Sequence, residues 1–259
     1  MKTVVFAIIS DLFYIHGGGI LFINSFHHFH PDIDLVVFRQ NMIDKWVDPK
    51  AKTSYVIDKT GQRKTSFSTA KPVFGKLLTN KYDKVINIDC DTIITGRLDE
   101  VLKDDWEVGG VWNFNDFENA YFDNITAEMY IQAGMVGSTK PLFWEKWDEA
   151  NKDASNYKRI ENDTLNLVIY NDSEIKKLKL KIFDKDKDYY GCKSLNREKE
   201  MYIENDELML RGEKVKAYHQ AKGPILPKLR FERLGFKPEV VDWLYKIGVY
   251  GQSFKSKGI

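Results

Sequence analysis

Cysteine is nearly absent from this chain, with two residues, Cys90 and Cys192, among 259. That excludes a disulfide-stapled fold and leaves two unpaired thiols, the expectation for a reducing, cytoplasmic setting. Proline and glycine are scarce as well, at 7 and 17 residues, which excludes collagen-like and low-complexity chains. An excess of charge of one sign is also missing: 39 basic residues face 38 acidic ones, so nothing draws the whole chain to nucleic acid or to a membrane. Long apolar runs are lacking, since stretches such as Val4–Ile9 and Leu35–Phe38 are far too short to span a bilayer. The N-terminus has no small-residue cleavage site after its apolar residues and reads as a first strand, not a signal peptide. What is present is 43% hydrophobic residues, enough at this length to bury a substantial core.

The opening reads as a β-α-β unit, the start of a wound α/β sheet. A strand over Thr3–Ile9 leads to a turn at Ser10-Asp11 and to Gly17-Gly18-Gly19. A helix over Gly19–Phe29 stops near Pro31, and a second strand covers Leu35–Phe38. Residues 44–66 are polar and read as irregular or a hairpin, and Ser68–Thr79 as helix. Trp106–Trp112 is a further apolar segment and Gln132–Gly137 another, interrupted by Gly134, while Leu142–Lys152 and Asp163–Tyr170 have helical spacing. Residues 171–206 are charge-dense and read as short strands and loops, before a last core strand ending at His219. From Pro224 the tail alternates basic and aromatic residues, with Val240, Val241, Leu244 and Tyr245 at helical spacing. No repeat or low-complexity linker divides the chain.

Residues 85–94 carry the chemistry. Asp89 and Asp91 end a short apolar run rich in β-branched residues, a buried-strand pattern that puts both carboxylates on one face. Paired carboxylates repel unless neutralised, and a hard divalent cation with oxygen ligands does this best. Such an ion can hold a diphosphate, at the carboxyl end of a central strand where open α/β sheets bind ligands.

The string Asp89-Cys90-Asp91-Thr92-Ile93 resembles the first motif of haloacid-dehalogenase-type phosphatases, in which Asp89 would be a phosphoryl nucleophile. That motif normally opens its core domain, whereas about 85 residues precede it here. The longer stretch from Tyr82 through Asp89, Asp91 and Asp99-Glu100 to Leu102 resembles the glycogenin and lipopolysaccharide-galactosyltransferase family. Further matches follow in the family's order. Asp11 and Tyr14-x-x-Gly17 resemble its nucleotide-base contact, with one extra residue between Asp and Tyr. Lys71 stands near a diphosphate-contacting cation, and Gln132-Ala133-Gly134-Met135 resembles the stretch lying against the donor sugar, with Gln for the usual Asn. Glu161-Asn162-Asp163-x-Leu-Asn166 resembles Asp-Gln-Asp-x-Leu-Asn, and His219 with Lys222 and Gly223 resembles the closing His-x-x-Gly-x-x-Lys.

The resemblance implies a metal-dependent glycosyltransferase of the α/β class with the GT-A fold, a single Rossmann-like wound mixed sheet flanked by helices. Residues 1–224 would form the catalytic domain and 225–259 a basic and aromatic helical appendage packed on it. It implies Mn²⁺ or Mg²⁺ on Asp89, Asp91 and His219. The donor, a UDP-sugar by resemblance, would lie on Asp11, Tyr14, Lys71, Asp89, Gly134, Met135 and Lys222. Asp163 and Gln132 stand nearest to the reacting carbon if retention uses a nucleophile, and a front-face route needs none. The acceptor would be a glycan or glycoconjugate hydroxyl, with no nucleic acid and with peripheral membrane contact open to the tail. A silent nucleotide- or carbohydrate-binding protein is the other alternative.

Several features have blander readings. Gly17-Gly18-Gly19 lacks the spacing of a phosphate loop and reads as a flexible helix start. His27-His28-x-His30 reads as decoration of a helix C-terminus. Asp163 is also a natural helix N-cap, Lys71 a solvated helix lysine, and Trp144 and Trp147 either sugar platforms or core.

Overall fold

The computed structural model describes residues 1–10, 18–40, 54–57, 67–112, 130–152, 160–183, 197–219 and 235–247. The sheet at its centre has seven strands: β1 (Thr3–Ser10), β2 (Asp34–Gln40), β3 (Ser54–Ile57), β4 (Lys84–Ile88), β6 (Val108–Trp112), β7 (Ile131–Ser138) and β8 (Leu180–Phe183), in the spatial order β3-β2-β1-β4-β7-β6-β8. β1 is buried on both faces from Val4 to Ile9, as a strand paired in parallel on each side must be. β7 runs antiparallel to β4 and β6, so the sheet is mixed. The region expected to be irregular or a hairpin contributes β3, which extends the sheet in parallel beside β2; residues 41–53 and 58–66 lie outside the described residues.

Helices cover both faces. On one, α1 (Gly18–Phe29) and the short α3 (Asp99–Leu102) bring Phe22, Phe26, Val101 and Leu102 against Val5, Ala7 and Ile86. On the other, α2 (Phe67–Leu78), α4 (Pro141–Lys152) and α5 (Ile160–Asn171) pack Leu78, Phe143, Trp144, Trp147 and Leu165 against Val4, Phe6 and Val85. Trp144 and Trp147 are fully buried, which assigns them to the core and not to a sugar platform. Gly75 is what lets α2 meet α4: a Cβ there would stand 2.2 Å from Trp144 Cε3.

A third cluster lies outside the main sheet. The small sheet of β9 (Tyr202–Glu204), β10 (Glu207–Leu210) and β11 (Glu213–Lys214) packs Leu208 and Leu210 with Tyr218, Phe236, Val240, Val241 and Leu244. The last four belong to the tail, whose helix α6 (Pro238–Lys246) follows the expected spacing. No described helix is long and apolar enough to cross a membrane.

The acidic run departs from the single strand expected of it. β4 ends at Ile88, Asp89–Asp91 form a turn closed by the Thr92 N–H donating to the Asp89 carbonyl at 3.0 Å, and β5 (Thr92–Ile94) leaves for another sheet. There β5 pairs antiparallel with β12 (Ala217–His219), with His219 opposite Thr92. That ladder carries a residue near the end of the chain to the tip of the central strand.

Candidate active site

Each side chain at this tip is fixed by the strand or helix behind it. The Asp89 N–H donates to the Gly134 carbonyl at 2.8 Å, continuing the β4–β7 ladder one step past the strand. The turn then swings Asp91 around to meet His219. His219 Nε2 lies 2.9 Å from Asp91 Oδ1 and 3.6 Å from Asp89 Oδ2. One donor atom from each of the three residues falls within 4.8 Å of the others.

Gly134 makes room for this arrangement. A Cβ there would stand 2.6 Å from His219 Cε1 and 3.3 Å from Asp89 Oδ2, so the imidazole rests on the bare backbone of β7. Two residues earlier on β7, Gln132 Nε2 lies 2.8 Å from His219 Nδ1. Both partners are buried, at 4% and 7% exposure.

Lys71, on α2, is buried rather than solvated, at 5% exposure. Its ammonium lies 2.5 Å from Asp89 Oδ1, contacts the Glu161 carboxylate, and donates to the Ala133 carbonyl at 3.0 Å. Burial would discharge it, but Asp89 and Glu161 outweigh burial and raise its pKa above the lysine range. Burial likewise works against the Asp89 charge, and the Lys71 and His219 charges overcome it and hold that carboxyl below its ordinary value. One ammonium does not serve two buried carboxylates equally. Glu161 is pushed up to about 7 by burial, with Asp89 adding to the push and Lys71 only partly offsetting it. Between the aspartates, the Cys90 thiol is raised well above its usual range by burial and by both neighbouring carboxylates, which keeps it protonated and inert.

α5 begins three residues earlier than its spacing implies, which puts Glu161, Asn162 and Asp163 inside its first turn and removes the N-cap reading of Asp163. Asp163 is fully buried and accepts the Tyr130 hydroxyl at 2.5 Å. Asn162 and Asn166, one helical turn apart, hold the start of β7. Asn162 Oδ1 accepts the Ala133 N–H at 2.9 Å, and Asn166 accepts the Ile131 N–H and donates to its carbonyl, both at 2.8 Å. The β6–β7 register slips at Gly110/Val111 just there, and these amides cover backbone groups near the slip. Their role was legible in part, because Asn162 and Asn166 stand in the quoted stretch.

No family model and no curated protein sequence matches this chain. Solved structures do. A bifunctional glycosyltransferase, WbbM, in its apo form is similar at 18% identity with a TM-score of 0.58, over 95% of this chain and 51% of that one. The galactosyltransferase LgtC, solved with donor and acceptor sugar analogues, gives 15% identity and 0.55 over 93% of this chain and 99% of its own. The glycosyltransferase GlyE of Streptococcus pneumoniae TIGR4 gives 14% and 0.50 over 71% and 45%. The fold is that of the GT-A glycosyltransferases. The chain thus spans about half the length of WbbM and nearly all of LgtC.

Against that fold, Asp89, Asp91, His219, Lys71, Gly134 and Gln132 converge at the end of β4 and β7. Met135 points the other way into the core beside Ile88, at 3% exposure, so its side chain is packing. Glu161, not Asp163, is the carboxylate of its stretch that meets Lys71. Asp11, Tyr14 and Lys222 lie outside the described residues.

The donor set fits a divalent cation. Two carboxylate oxygens and an imidazole nitrogen are a mixed oxygen and nitrogen set that one divalent cation can take. Separations of 2.9 and 3.6 Å suit neighbouring ligands of one ion held at roughly 2.1 Å.

Proposed function

We propose that this chain is a metal-dependent glycosyltransferase that moves a sugar from a nucleoside diphosphate, UDP by resemblance, to a glycan hydroxyl with retention of configuration. The observation that carries the reading is the meeting of Asp89, Asp91 and His219 at the carboxyl end of a central strand in a GT-A sheet. LgtC, a galactosyltransferase solved with donor and acceptor sugar analogues, supports the same substrate classes.

A bound divalent ion would supply Lewis-acid neutralisation of the departing diphosphate. Asp89 and Asp91 would hold it with His219, and Lys222 would add charge on the leaving oxygen. Lys71 keeps Asp89 ionised and aimed, and holds Glu161 beside it. Gly134 would take its place at the donor by seating the His219 ring on bare backbone, with Asp11 and Tyr14 on the base. Asp163 accepts the Tyr130 hydroxyl beside the start of β7 and would act on the donor only through that contact. Residues 225–259 form an appendage of the same domain in this reading. The phosphatase alternative asks Asp89 to attack phosphorus, yet Asp89 is committed to Lys71 and to the cation set.

Calorimetry with UDP and GDP, with and without Mn²⁺, tests the reading. UDP binding should require Mn²⁺, and Asp91→Asn should abolish both that Mn²⁺-supported binding and donor hydrolysis while the circular dichroism spectrum stays unchanged. Equal UDP binding with and without metal, or full donor hydrolysis by Asp91→Asn, would exclude the site. Nucleotide binding without turnover on any glycan acceptor would favour a silent binder.

A further inference from the structure

The His219–Gln132 contact settles which ring nitrogen faces which partner. Nε2 faces the two carboxylates and Nδ1 faces the Gln132 amide. An imidazole that ligates through Nε2 must carry its proton on Nδ1, and something must accept that proton for the tautomer and the ring angle to hold. An imidazole hydrogen-bonded to Asp91 through Nε2–H has the opposite need, a donor at Nδ1. A side-chain amide meets both needs by rotating half a turn, because it offers an NH₂ donor on one side and a carbonyl acceptor on the other.

Two further observations say that this contact is built and not incidental. Gln132 is buried, so its amide has little access to a substrate and would leave an unsatisfied polar group without His219. Gly134, two residues on, supplies the space the ring needs at Cε1, so one strand both clears a slot for the imidazole and meets its Nδ1.

From this we infer that Gln132 is a positioning residue that acts through His219: it accepts the Nδ1 proton that ligation through Nε2 requires, and so selects the imidazole form that binds a cation. It is not a nucleophile or a sugar contact. The inference rests on the reading of Asp89, Asp91 and His219 as a cation site, and it adds to that site the residue that selects its imidazole form.

The test uses the whole chain, without nucleotide, titrated with Mn²⁺ and read by the loss of the free-ion paramagnetic resonance signal. Gln132→Met keeps length and burial but has no acceptor, and should weaken Mn²⁺ binding roughly 10- to 100-fold. Gln132→Glu restores an acceptor for Nδ1–H and should bind Mn²⁺ within about threefold of wild type, or tighter. An unchanged Mn²⁺ affinity in Gln132→Met overturns the inference, and so does a Gln132→Glu variant that falls as far as the Met one. Wild type that does not take up Mn²⁺ at all sinks the cation site itself, a separate outcome read before any variant. Should Gln132→Met fail to fold by circular dichroism, nitrogen-15 NMR of the wild-type imidazoles decides, with His219 signals identified by their absence in His219→Gln. The proton should move from Nε2 to Nδ1 on adding Zn²⁺, and a ring whose Nδ1 remains unprotonated with Zn²⁺ bound overturns the proposal.

Discussion

Lys71 stands between two carboxylates, 2.5 Å from Asp89 Oδ1 on one side and in contact with Glu161 on the other. Removing it leaves buried acids without their cation, a loss of roughly 3–5 kcal/mol for a broken buried pair. Glu161 can relieve part of this by taking a proton, because its pKa already lies at about 7 against an ordinary 4.5. The sign follows from proton uptake. The folded state holds that proton where the unfolded state does not, so stability falls as pH rises toward and through 7. Lys71→Met should therefore be more destabilised at pH 8 than at pH 6 in urea titrations, and donor turnover should fall about 100-fold. Equal losses at both pH values would show that Glu161 does not take up the charge.

Gly134→Ala tests the slot beneath the imidazole. The added methyl would sit 2.6 Å from His219 Cε1, so the ring or the strand must move. The expected result is at least about a tenfold loss of Mn²⁺ affinity, together with roughly 1–3 kcal/mol of stability for overpacking. Gly75→Ala is the matched control. Its Cβ would strike Trp144 in the core, so its effect on stability should be equal or greater with Mn²⁺ affinity intact. If both variants lose Mn²⁺ to the same degree, the effect at residue 134 is global and not local.

The sheet and the acidic pair were legible because their signals are local. A β-branched run and two carboxylates two residues apart need no tertiary information to be noticed. The turn at Cys90 was not, because β4 and β5 read as one continuous apolar run, and only the ladder between Thr92 and His219 shows that the second half belongs to another sheet. Met135 illustrates a different limit. It packs with Ile88 on one face of the sheet while Ala133, two residues earlier, packs on the other, because the β6–β7 register slips between Gln132 and Val136 and breaks the strand period there. Helical spacing alone favours Asp163 over Glu161, since it leaves open the start of α5 by the three residues that decide which acid faces Lys71. His30 was read as surface decoration, and its burial follows from contacts with a loop 68 residues away.

That histidine carries the last prediction. His30 Nε2 accepts the Leu98 N–H at 3.1 Å, its ring packs 5.3 Å from Phe26, and the residue is fully buried. Its Nδ1 has no hydrogen-bond partner among the described residues. Burial first, and then the Arg97 charge, lower its pKa from 6.5 to about 4, against smaller upward pulls from Asp99 and Asp32 and a further downward one from Lys103. The unfolded chain therefore binds a proton between pH 6.5 and 4 that the folded chain refuses. Stability from this group is complete above pH 6.5 and is lost as pH falls through 4, by at most about 3 kcal/mol. His30→Gln keeps an acceptor for the Leu98 N–H but cannot titrate. Urea midpoints measured from pH 7.5 down to 4.5 should fall more steeply for wild type than for the variant, by close to one proton in the slope. Parallel slopes would mean that the ring is already charged in the folded protein, or that the α1 terminus opens before the core does.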